Sequence, residues 1–315
     1  MEKYKQDLTQ EVFTMITLVK PLGRAYSPAT YEVWPHERPK VSVVIPALNE
    51  SKNLPYVLPR IPSWVDEILL VDCHSTDATV EVARHTRPGI RIVQQTGKGK
   101  GAALQTGFKE STGDIIIMLD ADGSTDPAEI PEFCALLANA DFVKGSRFMQ
   151  GGGTTDMGFV RRVGNSGLRI LVHLLFGGSF SDLCYGYIGF WRSALPKLHV
   201  DVDGFEVETL MSIRALRGNL KIDEVPSFEY RRLNGSSNLR AVRDGWRVLR
   251  TILKEWIHSP LAHSSNHEPV TIDEVERRAR NRYDPDQVDE WSKRPEITEI
   301  ASRKPDDREN RLQSS

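Results

Sequence analysis

Asp120-Ala121-Asp122 leaves the apolar run Ile115-Ile116-Ile117-Met118-Leu119 and enters Gly123-Ser124-Thr125-Asp126-Pro127. Two carboxylates at i and i+2 can grip one hard divalent cation, which takes oxygen ligands and fills its shell with water and phosphate oxygens. The chemistry on offer is retention of a diphosphate by that cation. The same residues also suit a turn and helix cap ahead of Pro127, with no ligand at all. Their position after a hydrophobic strand favours a site, because open α/β sheets collect ligands at the carboxyl ends of their strands.

Two more runs end alike, in Val44-Ile45-Pro46-Ala47-Leu48-Asn49-Glu50 and Val71-Asp72-Cys73-His74-Ser75-Thr76-Asp77. Asn49, Glu50 and Asp72 can accept hydrogen bonds from a nucleobase or ribose, or can cap the following helices. Gly97-Lys98-Gly99-Lys100-Gly101 has neither the spacing of a Walker loop nor the GxGxxG register. It could still offer backbone N–H groups to an anion at a helix start, assisted by Lys98 or Lys100, or be a plain turn. Arg147, Arg161-Arg162 and Arg231-Arg232, the last beside Gly235, Ser236 and Ser237, recur in loop-like stretches. Guanidinium forks match phosphate oxygens two at a time, so together they suit an anionic substrate.

These residues need a sheet to position them. Val41–Ile45, Glu67–Val71, Ile90–Gln94, Asp114–Leu119 and Asp141–Lys144 read as buried strands, and Ala78–His85, Ala102–Lys109 and Ile130–Leu137 as helices between them. Strands alternating with helices predict right-handed crossovers and a parallel sheet covered on both faces, an α/β fold. Beyond Gly145 come glycine-rich loops, an arginine-bearing helix near Val160–Leu175, a strand at Tyr187–Trp191, a helix over Phe205–Leu216 and a strand at Lys221–Val225. A last helix ends near Ile257.

In that last helix Val242, Trp246, Leu249, Leu253 and Trp256 form one stripe, and Arg240, Arg243, Arg247, Arg250 and Lys254 another. At about 100° per residue each spans roughly 80°. Either the apolar stripe packs on the protein's own sheet, the commoner outcome, or it lies in an anionic membrane surface.

The composition narrows the field. In 315 residues, 41 Lys and Arg against 43 Asp and Glu give a charge of -2, no excess to neutralise nucleic acid. Three cysteines, Cys73, Cys134 and Cys184, form no CxxC pair, which fits a reducing, cytoplasmic setting without a zinc site. The N-terminus lacks the pattern of a signal peptide. The Leu168–Phe180 stretch is broken by His173 and glycines and is shorter than the roughly 20 apolar residues of a spanning helix. The expected organisation is a leader over 1–38, a catalytic domain over 39–258 and a tail over 259–315. The last 53 residues hold 13 acidic and 10 basic side chains, a composition that resists folding on its own.

VSVVIPALNE, ILLVDCHSTDAT, GKGKGAALQTGF, DIIIMLDADGSTDP and VKGSRF, in this order, resemble the signature segments of family 2 glycosyltransferases of the GT-A fold. SDLCYGYIGFWR, EVP and RLNGSSNL resemble more narrowly the dolichyl- or polyprenyl-phosphate mannosyltransferases and glucosyltransferases. The resemblance runs from Val41 to Ile257 and implies a Rossmann-like nucleotide-sugar-binding sheet with helices on both faces. It implies that Pro46, Asn49, Glu50 and Asp72 hold base and ribose, and that Asp120 and Asp122 bind the metal. It also implies Arg147 beside the donor sugar, Arg161 facing the acceptor phosphate, Arg232 with Ser237 over the diphosphate, and Asp182 opening the acceptor segment. Asn238 stands where relatives often carry lysine, so that contact is expected to be weaker or to come from Lys98 or Lys100. The metal so implied is Mg2+ or Mn2+, and because Gly123-Ser124-Thr125 departs from the family pattern, Asp126 is the substitute offered as a third ligand.

The activity so implied is inverting transfer of a hexose, from a GDP-mannose or UDP-glucose type donor to a polyprenyl or dolichyl phosphate. Catalysis is expected of Asp122, Arg147 and Asp182. The protein is expected in the cytoplasm or on the cytoplasmic face of the membrane, with no nucleic-acid partner. Transfer to a glycan or small-molecule hydroxyl, with Asp182, Glu206 or Glu208 as base, is the alternative. An inactive nucleotide-sugar-binding scaffold is a further one.

Overall fold

Seven consecutive residues, Val41–Ala47, form β1, and all but Pro46 are buried. The computed structural model describes residues 38–235 and 240–258. Leader residues 1–37, Ser237 and the expected tail lie outside them.

Beside β1 run β2 (Glu67–Asp72), β3 (Arg91–Gln94), β4 (Ile115–Met118) and β5 (Phe142–Ser146). Helices α1 (Leu54–Val57), α2 (Thr79–Thr86), α3 (Lys100–Glu110) and α4 (Ile130–Leu137) alternate with them. A seven-stranded sheet results, in the order β3-β2-β1-β4-β7-β5-β8. The remaining elements are β6 (Gly153–Thr154), α5 (Phe159–Phe176), β7 (Ile188–Trp191), α6 (Leu195–Leu198), α7 (Val207–Arg217), β8 (Ile222–Pro226), β9 (Phe228–Glu229) and α8 (Ala241–Ile257).

Alternation along the strands divides the core. Val43, Ile45, Ile115 and Ile117 join Phe133 and Tyr187 on one face. Val44, Leu69, Ile116 and Met118 join Leu104, Phe108, Phe190 and Met211 on the other. Burial of each such aliphatic side chain contributes about 1.5–3 kcal/mol, so the all-apolar β4 is anchored from both sides. Helix α3 lies so close to β1 and β2 that a Cβ on Gly107 would sit 2.4 Å from Val44 Cγ1.

The mixed α/β fold is as expected, but the sheet is not wholly parallel. Strand β7 runs antiparallel between β4 and β5, with Gly189 opposite Ile117 and Val143. Its side chains are buried to either side, a pattern that says nothing of strand direction. A Cβ on Gly189 would lie 2.6 Å from Ile117 Cδ1, so glycine permits the close fit. Because β1, β2 and β4 are mutually parallel, their carboxyl ends share one edge. No helix among the described residues is long and apolar enough to cross a membrane.

Candidate active site

At that edge β1 turns at Asn49, which adopts φ 57°. Its Oδ1 accepts the Thr76 N–H at 2.8 Å and its own N–H donates to Ser75 Oγ at 3.0 Å. Asp72 is buried, accepting from Ser75 N–H at 3.2 Å and from Gln94 Nε2 at 3.0 Å. Glu50 is buried as well, and its carboxylate receives Asn53 Nδ2 and Arg232 Nη2. Burial raises its pKa against the opposing pull of Asn53 and Arg232. Pro46 is half-buried behind them.

The Asp120–Asp122 turn faces the same cleft, with side chains 28% and 19% exposed. Lys100 Nζ bridges Asp120 Oδ1 at 2.6 Å and Glu208 Oε1 at 2.7 Å. Burial works against its charge, but Asp120 and Glu208 outweigh that and raise its pKa. Asp122 Oδ1 accepts the Ser124 N–H at 2.9 Å, and Arg232 Nη1 lies 3.5 Å from Asp122 Oδ2. The segment carrying Arg232 runs along the turn, with Tyr230 N–H donating to Ser124 O at 2.8 Å and Leu233 N–H to Asp122 O at 3.2 Å. Arg232 thus spans Glu50 and Asp122, the ends of β1 and β4.

Gly186 closes the cluster. A Cβ there would lie 2.8 Å from both Lys100 Nζ and Glu208 Oε1, and 3.2 Å from Asp120 Oδ2. Any side chain there would collide with the Lys100–Glu208 pair. Oxygen-only donors at the strand end, paired with two cationic groups whose place a cation can take, fit a divalent ion at Asp120 and Asp122.

Asp126 is not a third ligand to it. Its Oδ1 caps Ala128 N–H at 2.9 Å and its Oδ2 pairs with Arg60 at 2.6 Å. The glycine-rich loop also differs from the anion reading. Gly101 N–H donates to Asp203 O at 2.8 Å, and a Cβ on Gly101 would be 2.0 Å from Val202 O. The loop is a packing device that lets the 202–203 backbone pass and delivers Lys100 to Asp120.

Arg147 and Asp182 form a second, closed cluster. Their side chains are 1% and 0% exposed. Arg147 Nε and Nη2 take both Asp182 oxygens at 2.6 and 2.9 Å, and Nη1 reaches Glu229 Oε1 at 3.0 Å. The Tyr185 ring lies 4.7 Å from the guanidinium carbon, and Asn165 Nδ2 also donates to Asp182 at 3.2 Å. Arg147, expected beside the sugar, and Asp182, expected as a base, are thus paired with each other away from solvent. GSR reads as a ligand contact, and the sequence marks Glu229 only as an acid near the EVP segment. Tyr185 and Gly186 lie within SDLCYGYIGFWR with no further signal to single them out. Arg161 stands apart on the first turn of α5, 3.3 Å from Asp156 and partly exposed.

A family model, "Glycosyl transferase family 2", matches residues 42–198. The glycosyltransferase AglJ of Haloferax volcanii is 31% identical over 214 residues, 65% of this chain and 68% of that one. A dolichol-phosphate mannosyltransferase of Pyrococcus furiosus is 29% identical over 64% of this chain and 59% of its own. An undecaprenyl-phosphate mannosyltransferase of Micrococcus luteus is 30% identical over 64% of this chain and 87% of its own. Among solved structures, glucosyl-3-phosphoglycerate synthase from Mycobacterium tuberculosis, in complex with Mn2+, UDP and phosphoglyceric acid, superposes with a TM-score of 0.56. It is 24% identical, and the match covers 71% of this chain and 80% of that one. The architecture is that of a GT-A glycosyltransferase. The chain belongs to glycosyl transferase family 2, whose members are nucleotide-sugar glycosyltransferases.

Proposed function

We propose that the protein transfers a hexose from a nucleoside-diphosphate sugar to the phosphate of a polyprenyl-type lipid, at the cytoplasmic face of a membrane. The observation that carries this is the Asp120–Asp122 pair, held between Lys100 and Arg232 on the edge where β1, β2 and β4 end. Two relatives bear lipid-phosphate mannosyltransferase names, which supports the acceptor.

In this reading Asp120 and Asp122 hold Mg2+ or Mn2+, which when bound supplies charge neutralisation for the departing diphosphate. Arg232 releases Glu50 or Asp122 and turns its fork to the diphosphate oxygens. Ser237 assists from the same segment, though it lies outside the described residues. Asn49, Glu50 and Asp72 with Pro46 line the base and ribose. Asn49 and Asp72 are fixed by their bonds to 75–76 and 94, so they are oriented before the ligand arrives. Lys100 shifts from Asp120 toward phosphate as Asp120 takes its ligand, remaining paired with Glu208. Arg161 at the start of α5 meets the acceptor phosphate.

A phosphate monoester has a second pKa of about 6 and is already anionic at neutral pH, so its oxygen needs no general base. That suits a site whose Asp182 is sealed. In-line attack by that oxygen on the anomeric carbon forms one C–O bond as the bond to the nucleoside diphosphate breaks, inverting the centre. A hydroxyl acceptor is the second reading, favoured by Glu206 Oε2, which is buried without a hydrogen-bond partner. Product partitioning into butanol supports the lipid, and into water the hydroxyl.

A thermal-shift screen of UDP- and GDP-hexoses with each metal ion identifies the donor, because a ligand that binds only the native state raises Tm. Asp122→Ala is expected to abolish the metal-dependent shift and the transfer. Unchanged transfer in that variant overturns the metal assignment.

A further inference from the structure

Helix α8 is built inside out. Its inward face carries Asp244, Val248, Thr251, Ile252 and Glu255, all buried. Glu255 is held there by Arg214 at 2.7 Å and by Arg217, and Asp244 accepts the Arg240 N–H at 2.7 Å. The apolar stripe that a soluble helix ordinarily buries faces solvent instead: Val242 is 84% exposed, Trp246 69%, Trp256 47% and Ile257 69%. The expectation that this stripe packs on the sheet is thereby corrected. At about 100° per residue the three faces follow one another around the helix, apolar, basic and buried, each about 80–100° wide.

Helix α5 packs against α8, and both contribute to the core on the Val44 and Ile116 face of the sheet. It packs Leu168, Leu171, Val172, Leu175 and Phe176 on the core, yet it too carries a second apolar stripe that faces solvent. Phe159, Val160, Val163, Ile170 and Leu174 are each more than half exposed and fall within an arc of about 100°. Its eighteen residues contain no acid, and the only two in α8 are the buried Asp244 and Glu255. What the pair shows to solvent is apolar surface flanked by Arg162, Arg240, Arg243, Arg250 and Lys254.

We propose that α5 and α8 form one docking surface for an anionic lipid bilayer, with the apolar stripes at acyl depth and the basic residues among the headgroups. Charge decides the occupant: a second copy would bring like-charged flanks together, whereas an anionic bilayer complements them. Tryptophan beside a cationic stripe suits the boundary between acyl chains and water. The surface is tied to the body of the protein at two points. Arg247 Nη2 donates to Glu206 Oε1 at 3.2 Å, and Asn165 of α5 bonds Asp182. Its use in presenting a lipid phosphate rests on the acceptor proposed above; the docking itself does not.

The test is cosedimentation of the full chain with vesicles of phosphatidylcholine alone or mixed equally with phosphatidylglycerol. Strong partition onto the mixed vesicles is expected, with weak partition onto the neutral ones. Trp246→Glu with Ile170→Glu, or Arg243→Glu with Arg250→Glu, should keep the wild-type Tm and weaken partition roughly tenfold or more. Wild-type protein that stays in the supernatant, equal partition onto both vesicles, or variants that bind as wild type overturn the proposal and point to another cover for this face. Variants that fail on long-chain acceptor in vesicles yet use a water-soluble short-chain prenyl phosphate support both readings. Vesicle binding without transfer to either acceptor sinks the acceptor and leaves the docking surface standing.

Discussion

Two acid–arginine clusters lie within a few residues of each other along the 182–186 segment, yet they are built for opposite ends. At the cleft, Asp120 and Asp122 meet Lys100 and Arg232 with between 11% and 28% of each side chain exposed, and Arg232 has three carbonyl or carboxyl partners to choose among. Inside, Arg147 is clamped by both oxygens of Asp182 and by Glu229 with almost no exposure. A partly open pair can trade its partner for a ligand, because water and ligand can replace what is lost. A sealed pair cannot, because separating it strands a charge in a poorly polarisable interior. In the function proposed above, similar residue types thus serve exchange in one place and shape in the other.

The sharpest way to break the contrast is Arg147→Ala. It leaves Asp182 buried without its counterion and is expected to cost about 3–5 kcal/mol by chemical denaturation, whereas Asp122→Ala should leave the denaturation midpoint close to wild type. Equal stability of the two variants would end the distinction.

A smaller effect sharpens its inner side. Glu129 joins the sealed region through Ser227, whose Oγ also bonds Tyr185, and through Phe228 N–H. Burial pushes its pKa up to about 7 against those hydrogen bonds. A carboxyl whose folded pKa lies above its unfolded one binds protons more tightly when folded. Its contribution is therefore complete below the unfolded value and fades as pH rises through the folded one. Wild-type Tm should fall between about pH 5 and pH 8, and Glu129→Gln should flatten that fall by removing one of the groups responsible. Glu224, raised likewise to about 7 by burial, keeps the remainder. An identical Tm–pH slope in the variant counts against a sealed Glu129.

The smallest stability change belongs to Arg161→Ala. Its pair with Asp156 is partly exposed, so about 0–1 kcal/mol is expected, and a rise in KM for the acceptor without a change in Tm would mark Arg161 as a substrate contact.

Much of this was legible in the sequence, for physical reasons that also set the limit. Runs such as Ile115–Met118 can only be strands buried on both faces, and an acid pair at such a strand's end has to face the open edge. The antiparallel entry of β7 was not legible, since three buried residues and the half-buried Trp191 fit either direction. Nor was the sealing of Arg147, because GSR looks the same whether its guanidinium meets a phosphate or an aspartate 35 residues away. In α8 the periodicity gave the stripes but left open which of them faces inward. Amphipathic spacing reports contrast between faces, not which one is inside; that was decided by Arg214 and Arg217 drawing Glu255 inward.

The stretch from Asp182 to Trp191 links both clusters: it grips Arg147, lays Tyr185 over it, passes close against Lys100 and Glu208 at Gly186, then locks into the sheet as β7. It therefore works as a ruler with two marks. A slip of one residue in the β4–β7 pairing would turn every side chain to the opposite face and drag both marks off their targets at once. Cleft and keystone are calibrated by a single strand register.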